Sequence, residues 1–128
     1  MLYPERKVLA VTGDGGFMMN CQEIETAVRM NVPIVVLVMR DDSYGLIKWK
    51  QDDRFGDHCF VDFTNPDFAK MAESMHAVGL RVDKTEDLKD VLEQAFASGK
   101  VCIIDCPVDY AENTKLTEHL KQMIAELE

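Results

Sequence analysis

The segment "PIVVLVM" (33–39) is apolar at every position. A strand with one face in water alternates apolar and polar residues, so a run without alternation needs cover on both faces. "VCIIDCPV" (101–108) has the same character, broken by a single Asp. Such strands belong in the middle of a parallel sheet, with helices packed on either side. The segments between them supply those helices. "KVLAVT" (7–12) is a further short apolar strand, and "CQEIETAVRMN" (21–31) has Ile24, Ala27 and Val28 on one helical face. Asn20 is placed to cap that helix, with Glu23 three residues on as in a capping box, and Pro33 ends it. "PDFAKMAESMHA" (66–77) is a helix with Pro at its first position, and "GLRV" (79–82) is a short strand. "TEDLKDVLEQAFAS" (85–98) is a helix capped by Thr85 and closed by Gly99, and "KLTEHLKQMIAELE" (115–128) is an amphipathic terminal helix. The fold class is α/β, three layers around a parallel sheet. Burial predicts the strand order 7–12, 33–39, 101–106, 79–82, with the fully apolar strands central and Arg81 at an edge.

Length and charge narrow the partners. A chain of 128 residues can build one domain with its own core. A net charge of −9 argues against nucleic acid and anionic membrane surfaces. No apolar run approaches a membrane span, and "MLYPERK" carries no secretion signal, which points to the cytoplasm. The four cysteines, Cys21, Cys59, Cys102 and Cys106, fit neither a zinc ribbon nor a CxxC pair and read as buried, reduced thiols. His58, His76 and His119 share no metal-ligand spacing.

Chemistry gathers at two strand ends. Asp14 follows the first strand in "AVTGDGGFMMN", and Asp41 follows the second in "IVVLVMRDDSYG". One strand–helix–strand crossover separates them, so neighbouring strands would bring both carboxylates to the carboxyl edge, where open α/β sheets bind ligands. Two carboxylates and a loop carbonyl suit Mg²⁺, which keeps coordination places for substrate phosphates. Gly13, Gly15 and Gly16 allow close backbone approach. Gly and Asp also build plain turns. On the residues alone, a diphosphate–metal site and a structural pair of turns both stay open. The segment 40–65 reads as one long polar loop, a length that often marks function.

The ordered pattern "GDGGFMMNCQEIETAVRMNVPIVVLVMRDDSYG" resembles the thiamine-diphosphate motif. That motif belongs to the diphosphate-binding domain of enzymes such as acetolactate synthase, pyruvate oxidase and benzoylformate decarboxylase. The tail "GKVCIIDCPVDYAEN" looks most like the end of acetolactate synthases. The resemblance implies Asp14 and Asp41 as Mg²⁺ ligands, with the Ser43 carbonyl as a third. It implies that the Gly15 and Gly16 amides meet the diphosphate, and that Gly13, Tyr44 and Gly45 complete the cofactor-binding stretch. Leu46, Ile47 and Trp49 would line the substrate end of the cofactor, with core packing of the loop the alternative for all three and strongest for Trp49. Glu23 and Thr26 would be scaffold. Arg40 stands where the family usually has Asn.

The resemblance assigns no catalytic residue to this chain. The activating glutamate of the family comes from a pyrimidine-binding domain, on the same or a partner chain. The sequence is thus expected to be the last part of a larger, homo-oligomeric enzyme, truncated at its N-terminus and inactive alone. The implied reaction is decarboxylation of pyruvate and transfer of the two-carbon unit to a second 2-oxo acid. A different family member, or a non-catalytic remnant, is the alternative.

Overall fold

A computed structural model describes residue 3, residues 5–110 and residue 123. The terminal helix expected over 115–128 therefore lies outside the described residues, Met123 apart. Four strands form one parallel sheet: β1 (Leu9–Gly13), β2 (Val35–Arg40), β3 (Val78–Arg81) and β4 (Cys102–Pro107). Their order is β1-β2-β4-β3, as burial predicted.

The central strands bury both faces. Val36, Val38 and Ile103 join Phe17, Ile24, Ala27, Phe68 and Ala72 on one side of the sheet. These come from α1 (Asp14–Asn20), α2 (Glu23–Arg29) and α4 (Phe68–Ser74). Phe17 meets Phe68 edge-on at 5.5 Å between ring centroids, a favoured aromatic geometry. On the other side, Val35, Leu37, Cys102 and Ile104 pack with Ala95, Leu88, Val91 and Leu92 of α5 (Leu88–Ala97). Helices cover both faces, giving three layers. All four cysteines are free; Cys102 and Cys106 are buried, Cys21 is half-buried, and Cys59 is exposed, contrary to expectation.

Three local expectations need correction. The first helix begins at Asp14, not near Asn20. Gly13 is extended (φ −75°, ψ 160°) and turns the chain from β1 straight into α1. Cys21 and Gln22 keep right-handed dihedrals, so α1 runs into α2 through a short i→i−3 turn, and no side chain caps α2. Asn20 and Glu23 therefore form no capping box. Second, α4 is capped by Asp67, whose Oδ1 accepts from the Lys70 amide at 3.0 Å, and Pro66 lies just before that cap. Thr85 likewise opens a 3₁₀ turn (Thr85–Asp87) ahead of α5 without capping it by its side chain. Third, the segment 40–65 is not one loop. It holds α3 (Gly45–Phe55), closed by left-handed Gly56.

Candidate functional site

The carboxyl ends of β1 and β2 are neighbours, with Gly13 opposite Met39. Asp14 and Asp41 leave the sheet side by side, as the crossover argument required. Asp14 is 2% exposed. Its Oδ2 accepts from the Asp42 amide at 2.8 Å, the Asp41 amide at 3.2 Å and Asn65 Nδ2 at 2.7 Å. Its Oδ1 accepts from the Gly15 amide at 2.8 Å. The amide expected to face a diphosphate is thus shared with the carboxylate beside it.

Asp41 is partly buried. Ser43 donates to it twice, from N to Oδ1 at 3.4 Å and from Oγ to Oδ2 at 3.2 Å. Burial nevertheless holds the Asp41 carboxyl above its ordinary range, and the negative charge of Asp14 adds to the shift. The loop carrying Asp41 is pinned from behind. Ser43 bridges antiparallel to Asp62, through Tyr44 N to Val61 O at 2.8 Å and Phe63 N to Asp42 O at 3.0 Å. Both bonds come from residues flanking Ser43, so its own carbonyl is not spent on the bridge. The Tyr44 and Phe63 rings pack at 4.8 Å.

The ten residues expected to bind cofactor, Gly13 to Gly16 with Asp41 and Ser43 to Ile47, all line one cleft of about 460 Å³. Met39, Val108 and Tyr110 complete it. Leu46 and Ile47 are 57% and 52% exposed, so their apolar surface faces the cleft mouth rather than a core. Trp49 lines an adjoining cleft of about 300 Å³ with Lys48, Ser43 and Tyr110. A Cβ on Gly45 would collide with Asp41 Oδ2 and come within about 3.0 Å of the Tyr110 ring, so only glycine leaves the carboxylate its place. Among the described residues, no group of three or more His, Cys, Asp or Glu is arranged to hold a metal. Any cation here would rest on two carboxylates and neutral oxygens.

Sequence reasoning missed Asn65, Asp42 and Asp105. Asn65 Nδ2 bridges Asp14 Oδ2 and Asp42 Oδ1, the latter at 2.8 Å, while its buried Oδ1 has no hydrogen-bond partner. Arg40 reaches back across the sheet edge, with Nε on Asp105 Oδ1 and Nη1 on Asp42 Oδ2, both at 2.8 Å. Asp105, chiefly through its hydrogen bond, holds the Arg40 guanidinium above its ordinary range. No local pattern signals these partners, since Asn65 lies 51 positions from Asp14 and Asp105 lies 65 from Arg40.

Comparison with known proteins places the chain in a family. The family model "Thiamine pyrophosphate enzyme, C-terminal TPP binding domain" matches residues 1–106. Acetolactate synthase of Bacillus subtilis (strain 168) is 43% identical over 116 residues, 91% of this chain and 20% of that protein. Pyruvate oxidase of Lactiplantibacillus plantarum is 42% identical over 96 residues, 74% of this chain and 16% of that protein. The chain thus spans about a fifth of the length of these relatives. Among solved structures, benzoylformate decarboxylase from Polynucleobacter necessarius matches with a TM-score of 0.74 and 23% identity, over 80% of this chain and 20% of that one. That likeness establishes the α/β fold. The strand-end motif, the parallel sheet and the family match together establish that this chain belongs to the C-terminal TPP-binding domain family of thiamine pyrophosphate enzymes.

Proposed function

We propose that this chain binds thiamine diphosphate through Mg²⁺, as part of an enzyme of acetolactate-synthase type. The juxtaposition of Asp14 and Asp41 at adjacent strand ends carries the proposal. The donor set suits the cation. It offers hard oxygen ligands, the Ser43 carbonyl is free of the bridge, and burial beside Asp14 disfavours the Asp41 charge, which a cation would offset. In this reading Asp14, Asp41 and the Ser43 carbonyl hold Mg²⁺. Gly15 and Gly16 would lie against the diphosphate, with Gly13, Tyr44 and Gly45 lining the same cleft. Leu46 and Ile47 present apolar surface to the substrate end.

When bound, the cofactor supplies an electron sink for the carbanion left by decarboxylation of a 2-oxo acid. This chain's residues bind and orient it. Tyr44, Leu46 and Ile47, which line the cleft, would exclude water from one side of it. Cofactor activation needs a positioned acid–base partner. We assign none here; it would come from a pyrimidine-binding domain of the same or a partner chain. The named relatives favour acetolactate synthesis, with a pyruvate-oxidase-type reaction the second reading on the 42% identity.

Calorimetric titration with thiamine diphosphate, with and without Mg²⁺, tests the assignment. Weak, Mg²⁺-dependent binding is expected, with the metal dependence lost in Asp41→Ala. Equal binding in chelator, or binding untouched by Asp14→Ala, would overturn it.

A further inference from the structure

We propose that Arg40 is a positioning residue that sets the geometry of the metal carboxylates. The proposal rests on the Mg²⁺–thiamine diphosphate reading above. Arg40 immediately precedes Asp41, yet its side chain turns away from the cleft. Nε donates to Asp105 Oδ1, and Nη1 donates to Asp42 Oδ2. These two acceptors differ in kind. Asp105 sits in the central strand β4 at 1% exposure, with its other oxygen held by Arg81 Nη2 at 3.1 Å. A carboxylate buried there needs its partners, so Asp105 is a fixed anchor. Asp42 belongs to the loop, in a left-handed conformation (φ 56°).

Asp42 in turn grips Asp14 twice. Its amide donates to Asp14 Oδ2 at 2.8 Å, and its Oδ1 shares Asn65 Nδ2 with the same Asp14 oxygen. The chain Asp105–Arg40–Asp42–Asn65–Asp14 therefore ties the ends of β4, β2 and β1 together behind the cleft. The rigid guanidinium fork, with two separated donors, holds a buried anchor and a loop carboxylate in fixed relation; a lysine ammonium is a compact point charge whose donors set no such geometry. Partners of metal-ligating carboxylates commonly tune metal affinity by about 10–100-fold.

Charge and geometry predict opposite signs, which makes the proposal decidable. Arg40 is a cation close to a cation site. If it acted through charge alone, Arg40→Met would tighten Mg²⁺ binding and Arg40→Lys would leave it unchanged. A positioning role predicts weakening in both, with half-saturating Mg²⁺ rising about tenfold or more. The measurement is a Mg²⁺ titration at fixed thiamine diphosphate, followed by calorimetry and by fluorescence of Trp49, the single tryptophan, in the adjoining cleft. Arg81→Met removes the other partner of Asp105 and serves as the structural comparison. It should lower the melting temperature and leave the Mg²⁺ midpoint in place.

Arg40→Lys keeps the Asp105 charge partnered, and Asp42→Asn changes only a part-exposed loop residue that tolerates φ > 0. Either therefore stands in if Arg40→Met does not fold; Asp42→Asn is also expected to raise the midpoint. An unchanged or lower midpoint in Arg40→Lys, or a rise in Arg81→Met as large as in the Arg40 variants, would overturn the proposal. Absence of metal-dependent binding in the unaltered chain would overturn the cofactor reading and this proposal with it. Normal binding there, with unmoved variants, overturns this proposal alone.

Discussion

At the scale of single residues, Asp41 carries an electrostatic cost, which the proposed cation would offset. Burial, then the charge of Asp14, hold its carboxyl above the ordinary range. In the unfolded chain it titrates lower. Between those two pH values the folded chain keeps a proton that the unfolded chain has lost. Raising pH through that window therefore lowers the stability of the metal-free chain, and the loss is complete above the raised value. On the proposed Mg²⁺ reading the cation would compete with the proton for the same oxygens, so its affinity should climb with pH across the window and level off above it. Asp41→Asn removes the buried charge and the repulsion together. In chelator at neutral pH this variant should be more stable than the parent by up to about 1 kcal/mol at such a solvent-screened position, and so melt higher. Thermal melts of both in chelator check this; an equal or lower melting point for Asp41→Asn would contradict it.

Single elements show where local pattern competes with packing. Glycine is a poor helix former, so "DGGFMMN" carries no helical signal of its own. It is helical because Asp14 is anchored by loop amides and Phe17 is buried against Phe68. Helix α3 escapes notice for a different reason. Leu46, Ile47 and Trp49 cluster at the start, Phe55 stands exposed at the end, and the helix buries none of its residues fully, so it shows no apolar stripe. Among the described glycines, Gly79 marks a tight backbone approach, between α4 and β3. A Cβ on Gly79 would collide with the Ala69 carbonyl and come within about 2.7 Å of its carbon. Both are backbone atoms, so neither can swing aside. Gly79→Ala should therefore destabilise the chain by about 1–3 kcal/mol, as overpacking does. Urea unfolding would report it, and a change below about 0.5 kcal/mol would show that α4 can slide.

On the scale of the whole molecule, β1 stands apart from the other strands. Among the described residues it pairs only with β2 and forms an edge of the sheet. Leu9 and Val11 lie in register with Val35 and Leu37, whose face α5 covers, yet they are 42% and 60% exposed. Val8 is also exposed, and Lys7 folds over the Phe96 ring at 5.4 Å rather than guarding the edge. An apolar strand with a free edge recruits another strand. The 128-residue chain should self-associate at micromolar concentration, through β1 and its uncovered face. Sedimentation velocity tests this. A clean monomer whose β1 amides exchange rapidly would mean that the edge is tolerated bare.

The strand order and the meeting of Asp14 with Asp41 were both legible in the amino-acid sequence. Strands apolar on both faces can only sit centrally, and parallel strands joined by a crossover must end on the same edge. The segment "GDGG…RDDSYG" therefore carries its own placement. The partners that hold the site were decided by tertiary structure alone. Asn65, Asp42 and Asp105 are ordinary polar residues in sequence, and become a network only when the strand ends converge. A hydrogen bond between residues 51 or 65 positions apart leaves no periodicity and no local propensity behind. Only the folded sheet edge brings its donor and acceptor together, and the cost of leaving buried charges unpaired holds them there.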